Sequence, residues 1–174
     1  MTRTGSERTR LVVLRGNSGS GKSSTALALR AELGSKLAIV EQDMFRRLVL
    51  DEPDVPDGAT IGLISVNVRY ALDNGFDVVV EGIMSAKRYS DMLAALAAEH
   101  RGTTAFYYFD VSLDETERRH ATRAKALEFG VEEMRGWYKP RDLLPFVAES
   151  VIAESATLAQ TVERIMGEVF RAVP

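Results

Sequence analysis

Near the start of the chain stands Gly16-Asn17-Ser18-Gly19-Ser20-Gly21-Lys22-Ser23, and no other stretch restricts the possible folds as much. It follows the apolar run Leu11-Val12-Val13-Leu14 and leads into Ser24-Thr25-Ala26-Leu27-Ala28-Leu29-Arg30, the order of a strand, a glycine-rich loop and a helix. Every fixed position of G-x-x-x-x-G-K-[ST] is met. Glycines at 16, 19 and 21 let a tight loop turn successive backbone N–H groups into one anion-binding hollow. The helix behind it aims its free N–H groups and positive dipole end at the same hollow. Lys22 supplies a point charge near the β- and γ-phosphates, and the Ser23 hydroxyl is placed to ligate Mg²⁺. The expectation is a nucleotide-phosphate site over residues 16–23, with Ser24 in the first helical turn beside it. A plain flexible Gly/Ser turn would not account for the strand before and the helix after.

The rest of the chain says how that unit is built into a fold. Residues 37–40 and 77–82 are short apolar runs of the kind buried on both faces, residues 104–110 form an aromatic-rich strand, and residues 150–153 a short fifth one. Helices are expected at 22–33, ended by Gly34, and at 60–73, capped by Thr60 and stopped at Asn74-Gly75. Others are expected from Lys87 or Ser90 to near Gly102, then at 113–128 up to Gly130, at 132–138 and at 157–171. A short helix follows Asp43, and residues 51–58 read as a loop around Pro53, Pro56 and Gly58. Strands alternating with helices predict an α/β fold, a five-stranded parallel sheet covered on both faces. A length of 174 residues fits one domain, residues 11–174, behind a flexible lead-in at 1–10. A net charge of −3 offers nucleic acid no general attraction. The absence of cysteine excludes disulfides, zinc–thiolate sites and thiol catalysis. No apolar run approaches a membrane span, and the polar first residues lack a signal peptide's core, so a cytoplasmic protein is expected.

In an open α/β sheet, ligands sit beyond the carboxyl ends of the strands. Those ends carry the glycine-rich loop, Asp43, Glu81-Gly82 and Asp110, which is followed by an arginine-bearing helix. No N-K-x-D guanine motif and no transporter signature loop accompanies the phosphate loop, so the arrangement suits phosphoryl transfer, in which catalysis is positioning and charge neutralisation. Asp43 is the candidate general base for an acceptor hydroxyl, or else the cap of the next helix. Arg46, one turn on, can orient an acceptor group, an anionic one in particular, or lie on a solvated face. Glu81 is the candidate second acid for Mg²⁺, directly or through water. Arg119 and Arg123, four apart, share a helix face that can close over the β- and γ-phosphates, unless they only pair with Glu115 and Glu117. His100 and His120 have no partners at ligand spacing and are not read as metal ligands. Trp137 is expected beneath the acceptor pocket, and Asp142 either meets substrate or caps a segment.

Gln42-Asp43-Met44-Phe45-Arg46 matches the D-x-x-R element of phage-type polynucleotide 5′-kinase domains, and Arg119-His120-Ala121-Thr122-Arg123 resembles their R-x-x-x-R lid. Residues 131–138 resemble the helix after that lid, so the likeness runs from about 11 to 144. The same broad group holds chloramphenicol phosphotransferase and the zeta toxins. The resemblance implies a P-loop kinase-type three-layer sandwich with a helical lid at about 113–142. It implies ATP and Mg²⁺ as cofactors, Asp43 as base, Arg46 on acceptor or phosphate, and Arg119 and Arg123 on the donor phosphates. Without a phosphatase domain or an evident basic channel, the leading expectation is a kinase for a hydroxyl of a metabolite, nucleoside or antibiotic. A polynucleotide 5′-hydroxyl kinase and a non-catalytic ATP-binding regulatory module are the alternatives. GTP as donor stays open, as does a monomer or a small homo-oligomer.

Overall fold

In the computed structural model, which describes residues 3–121 and 131–171, the strands are β1 (Arg10–Gly16), β2 (Leu37–Glu41), β3 (Asp77–Gly82), β4 (Thr103–Asp110) and β5 (Ser150–Ala153). They form one all-parallel sheet in the order β2-β3-β1-β4-β5. β1 explains the architecture. Leu11 and Val13 enter one core, Val12 and Leu14 the other, and all four are fully buried. A strand apolar on both sides can only lie inside a sheet that is covered twice.

Two helical layers do the covering. On one face pack α2 (Ala59–Asp73), through Ile64, Val68 and Leu72, and α3 (Ala86–Glu99), through Tyr89, Leu93 and Leu96. On the other pack α1 (Lys22–Leu33), through Ala26 and Leu29, and α6 (Leu158–Ile165), through Val162 and Ile165. The last of these runs on as a π-helical turn, Met166–Phe170. Each buried apolar side chain of this kind contributes about 1.5–3 kcal/mol. A π-helical segment, Met44–Val49, follows β2; α4 (Leu113–Ala121) follows β4, and α5 (Val131–Trp137) comes next among the described residues. The expected extension of α4 to residue 128, with its break at Gly130, lies outside the described residues.

Three expectations need correcting. Thr60 does not cap α2: the N-cap is Gly58, and the Glu52 carboxylate accepts from the N–H groups of Ala59 and Thr60, both at 2.8 Å. The same carboxylate accepts from the Thr60 hydroxyl at 2.6 Å, and these bonds hold the Glu52 carboxyl below its usual pKa. Helix α3 starts at Ala86 rather than Lys87 or Ser90, because the Asp142 carboxylate accepts the Ala86 N–H at 2.8 Å. Both caps come from outside the helices, Glu52 from seven residues before Ala59 and Asp142 from 56 residues after Ala86. Residues 3–9 differ from a flexible lead-in. Thr4 bridges to His100, and the Asp73 carboxylate accepts from the Thr4 hydroxyl at 2.8 Å and the Gly5 N–H at 2.7 Å.

Candidate active site

The glycine-rich loop leaves β1 at the centre of the sheet and enters α1 through Gly21. Gly16 has φ +143°, and a Cβ there would sit 2.7 Å from the Phe109 carbonyl, so only glycine fits beside β4. Lys22 is buried along the loop, its Nζ donating to the Asn17 carbonyl at 2.8 Å and the Ser20 Oγ at 3.2 Å. The Ser23 Oγ donates to Glu81 Oε1 at 2.7 Å. Register explains that meeting: Glu81 lies opposite Leu14 on β1 and opposite Glu41 on β2. Glu81 is 3% exposed, and burial pushes its carboxyl above the usual range, with Glu41 and Asp43 adding to the rise. Lys22 and the Ser23 hydroxyl oppose the shift. A serine hydroxyl and a carboxylate in contact form the oxygen-donor pair a hard cation prefers. Among the described residues no cluster of three acidic or histidine side chains is built to hold a metal alone.

Two cavities flank the loop. One, of about 270 Å³, is lined by Ser20, Gly21, Ser24 and Thr25, with Phe109, Arg119, Ile152 and Thr157 across from them. The other, of about 360 Å³, is lined by Ser18, Gln42, Asp43, Arg46, Arg47, Pro53, Asp54, Ile83, Arg88 and Trp137. Asp43 makes no capping hydrogen bond; its carboxylate stands 3.5 Å from Arg46 Nη2 and 3.6 Å from Arg47 Nε. Arg46 is turned inward rather than solvated, its side chain 19% exposed and donating to the Glu52 carbonyl at 3.3 Å. Below, the Met84 N–H donates to Gln42 Oε1 at 2.9 Å, and Gln42 Nε2 donates to the Tyr89 hydroxyl at 2.8 Å. That hydroxyl donates to Asp54 at 3.2 Å, and Arg88 Nη1 donates to the other Asp54 oxygen at 2.6 Å. Gly82 permits the approach, since a Cβ there would meet Gln42 Oε1 at 2.4 Å. Trp137 stands on the wall rather than beneath, with the Arg47 guanidinium 5.8 Å from its ring centroid.

Arg119 pairs with Glu115, as one of its two readings had it, and also reaches the glycine-rich loop. Its Nε donates to Glu115 Oε1 at 2.6 Å, while its Nη1 reaches the Ser20 carbonyl at 3.0 Å and its Nη2 the Glu154 carbonyl at 3.0 Å. Arg118 also grips Glu115, and the two guanidinium groups hold that carboxyl down at about 2. Arg123 lies outside the described residues. His100 serves structure, set between the hydroxyls of Thr9 at 3.0 Å and Thr104 at 2.8 Å.

The sequence reading missed a buried clasp behind the loop. Arg15 is fully buried; its Nη1 donates to both Glu149 oxygens at 2.9 and 2.8 Å, its Nε to the Met84 carbonyl at 2.9 Å and its Nη2 to the Asp142 carbonyl at 2.9 Å. Asn17 closes a reciprocal pair with Lys139: its Nδ2 donates to the Lys139 carbonyl at 2.8 Å and its Oδ1 accepts the Lys139 N–H at 2.9 Å. A charged residue ending an otherwise apolar strand was the available signal for Arg15. Nothing in spacing marked Glu149, Arg47, Arg88 or Asp54.

The chain resembles known proteins in sequence and in fold. A model of the AAA domain family matches residues 11–140. The protein APE1195 shares 24% identity at a TM-score of 0.72, over 93% of this chain and 95% of that one. The APS kinase CysC of Mycobacterium tuberculosis, solved with AMPPNP and APS, shares 19% identity at a TM-score of 0.69, over 92% and 96%. A gluconokinase from Sinorhizobium meliloti 1021 shares 20% identity at a TM-score of 0.59, over 96% and 92%. No curated protein matches the chain by sequence. At these identities the structures speak for the fold, while the family match speaks for descent. With its phosphate loop, five-stranded parallel sheet and matched span, the chain belongs to the AAA domain family.

Proposed function

We propose that this protein is an ATP-dependent phosphotransferase that moves the γ-phosphoryl group to a hydroxyl of a small molecule. The observation that carries the reading is the pair of cavities on either side of one phosphate loop, with Arg119 in the first and Asp43 in the second. The nucleoside occupies the cavity beside Ser24 and Thr157, and its phosphates run along residues 16–23 toward Asp43. Lys22 and the loop N–H groups hold the β- and γ-phosphates, and Arg119 neutralises charge on the same side. The Ser23 hydroxyl and Glu81 are the residues that would hold Mg²⁺ with the nucleotide; the ion would supply charge neutralisation at the phosphates. Asp43 accepts the proton of the acceptor hydroxyl as its oxygen bonds to the γ-phosphorus and the bond to the ADP oxygen breaks. A cavity of about 360 Å³ is in the range of small-ligand pockets, which favours a metabolite-sized acceptor over a polynucleotide strand.

An acceptor screen that follows ADP release, with Lys22→Ala as blank, tests the activity. Asp43→Asn is expected to keep ATP affinity within twofold and to lower kcat by about 10²–10⁴, the range for a positioned general base. Unchanged transfer in that variant would remove Asp43 from the role. Nucleotide binding with no acceptor in a broad screen would support a regulatory module instead.

A further inference from the structure

Resting on the assignment of the Asp43 cavity to the acceptor, we propose that Gln42 is the positioning residue of that cavity. Its one buried amide fixes Asp43 against the turn beside the glycine-rich loop, and Asp54 against α3.

Gln42 stands where the backbone ladder between β2 and β3 runs out. The last paired residues are Glu41 and Glu81, and Gln42 comes next, immediately before Asp43. Its side chain lies so close over Gly82 that a Cβ there would collide with Gln42 Cβ and Oε1. The side-chain amide then takes over from the ladder, Oε1 accepting the Met84 N–H at 2.9 Å. Met84 has φ +39°, a left-handed conformation that such a residue keeps only where its surroundings hold it. The hold is double. Gln42 takes the Met84 N–H, and Arg15 Nε donates to the Met84 carbonyl at 2.9 Å. Arg15 directly precedes Gly16. The turn is thus clamped between the strand that delivers Asp43 and the strand that delivers the glycine-rich loop.

The Met84 N–H also sets the direction of the bonds beyond it. A backbone N–H only donates, so the carbonyl end of Gln42 faces Met84 and the NH₂ end faces Tyr89. The Tyr89 hydroxyl accepts from Gln42 Nε2 at 2.8 Å and turns its own proton to Asp54 Oδ1 at 3.2 Å. Burial, and after it the Asp54 charge, push the Tyr89 phenol above its ordinary range, so it stays a donor. Asp43 and Asp54 both line the cavity, and Gln42 reaches each of them from below. A side chain in this place must accept at one end and donate at the other, which glutamine does and methionine of similar length does not. Gln42 is 3% exposed, Tyr89 1% and Met84 0%, so water is not at hand to replace a lost bond.

Hydrogen exchange on the whole chain, and ADP release with each acceptor that the screen yields, test the idea in Gln42→Met and Tyr89→Phe. Gln42→Met is expected to speed exchange at the Met84 amide ten-fold or more. It should lower kcat by about ten- to hundred-fold, the effect of a slightly misplaced reacting group. KM for ATP is expected to stay within twofold, a split that general loosening of the fold does not produce. Tyr89→Phe keeps the Met84 bond and cuts the branch to Asp54. Exchange at Met84 should then stay near wild type, while KM for the acceptor rises more than kcat falls. Unchanged Met84 exchange in Gln42→Met, kcat within twofold of wild type, or a KM for ATP that moves with kcat would overturn the proposal. The exchange measurement needs no acceptor, which keeps the two readings apart. A wild type that releases no ADP with any acceptor sinks the phosphotransferase. Exchange at Met84 then decides alone: faster in Gln42→Met keeps Gln42 as the holder of the turn, and equal removes it.

Discussion

Stability and the proposed role at Mg²⁺ ask opposite things of Glu81. Buried and raised above its usual pKa, it is easiest to keep protonated in the folded chain, so folding favours the neutral form. Its contribution is fully present below the ordinary value of 4.5 and is lost as pH rises through the folded value. Glu81→Gln is therefore expected to raise the thermal midpoint at pH 8, with the gain vanishing below about pH 4.5. The same change should abolish Mg²⁺-dependent transfer. A melting series from pH 4 to 8 checks the first part, and equal midpoints at pH 8 would contradict it. Asp43, Glu81 and Arg119 were legible in the sequence because strand ends and helical spacing point them to one edge. Arg15 was not, because its meaning depends on Glu149, Asp142 and the Met84 carbonyl, all far along the chain. Arg15→Met would leave Glu149, whose side chain is 0% exposed, as an unmatched buried charge. A loss of about 3–5 kcal/mol is expected in urea unfolding, and a double change with Glu149→Leu should recover much of it.

At the scale of elements, the loop and the segment after α5 act as one piece. The reciprocal bonds between Asn17 and Lys139 tie the exit of α5 to the glycine-rich loop, and the Tyr108 hydroxyl receives the Asp142 N–H at 3.1 Å beside them. Asn17 is a positioning residue in this view. Asn17→Ala removes both bonds and is expected to speed hydrogen exchange at the Lys139 amide. Asn17→Asp keeps an acceptor for that amide, so its exchange should stay near wild type. Equal exchange in all three would dissolve the tie. Strands and helices were readable one by one, since burial on two faces gives apolar runs and burial on one gives a period of 3.6. Their starts were less so: Glu52 and Asp142 cap α2 and α3 from outside the helices' own sequence.

Across the whole molecule, the α/β class and the parallel sheet follow from alternation alone, but the strand order does not. That order puts β1 between β3 and β4, and so brings Glu81 to Ser23 and Phe109 to Gly16. Composition also misjudged the beginning of the chain, where polar residues 3–9 are tied across to Asp73 and His100. Burial lowers the His100 pKa from its ordinary 6.5, so the folded chain prefers the neutral ring. Stability from this site is present above 6.5 and is lost as pH falls through the folded value, a slope that His100→Gln should flatten in a melting series. The clasp on the phosphate loop has a further consequence, for synthesis. Asn17 meets a residue 122 positions later, and Arg15 one 134 positions later. At about 5–20 residues per second, a growing chain carries its glycine-rich motif for several seconds before Lys139 and Glu149 are made. The most recognisable part of the sequence is translated well before the residues that complete it as a site.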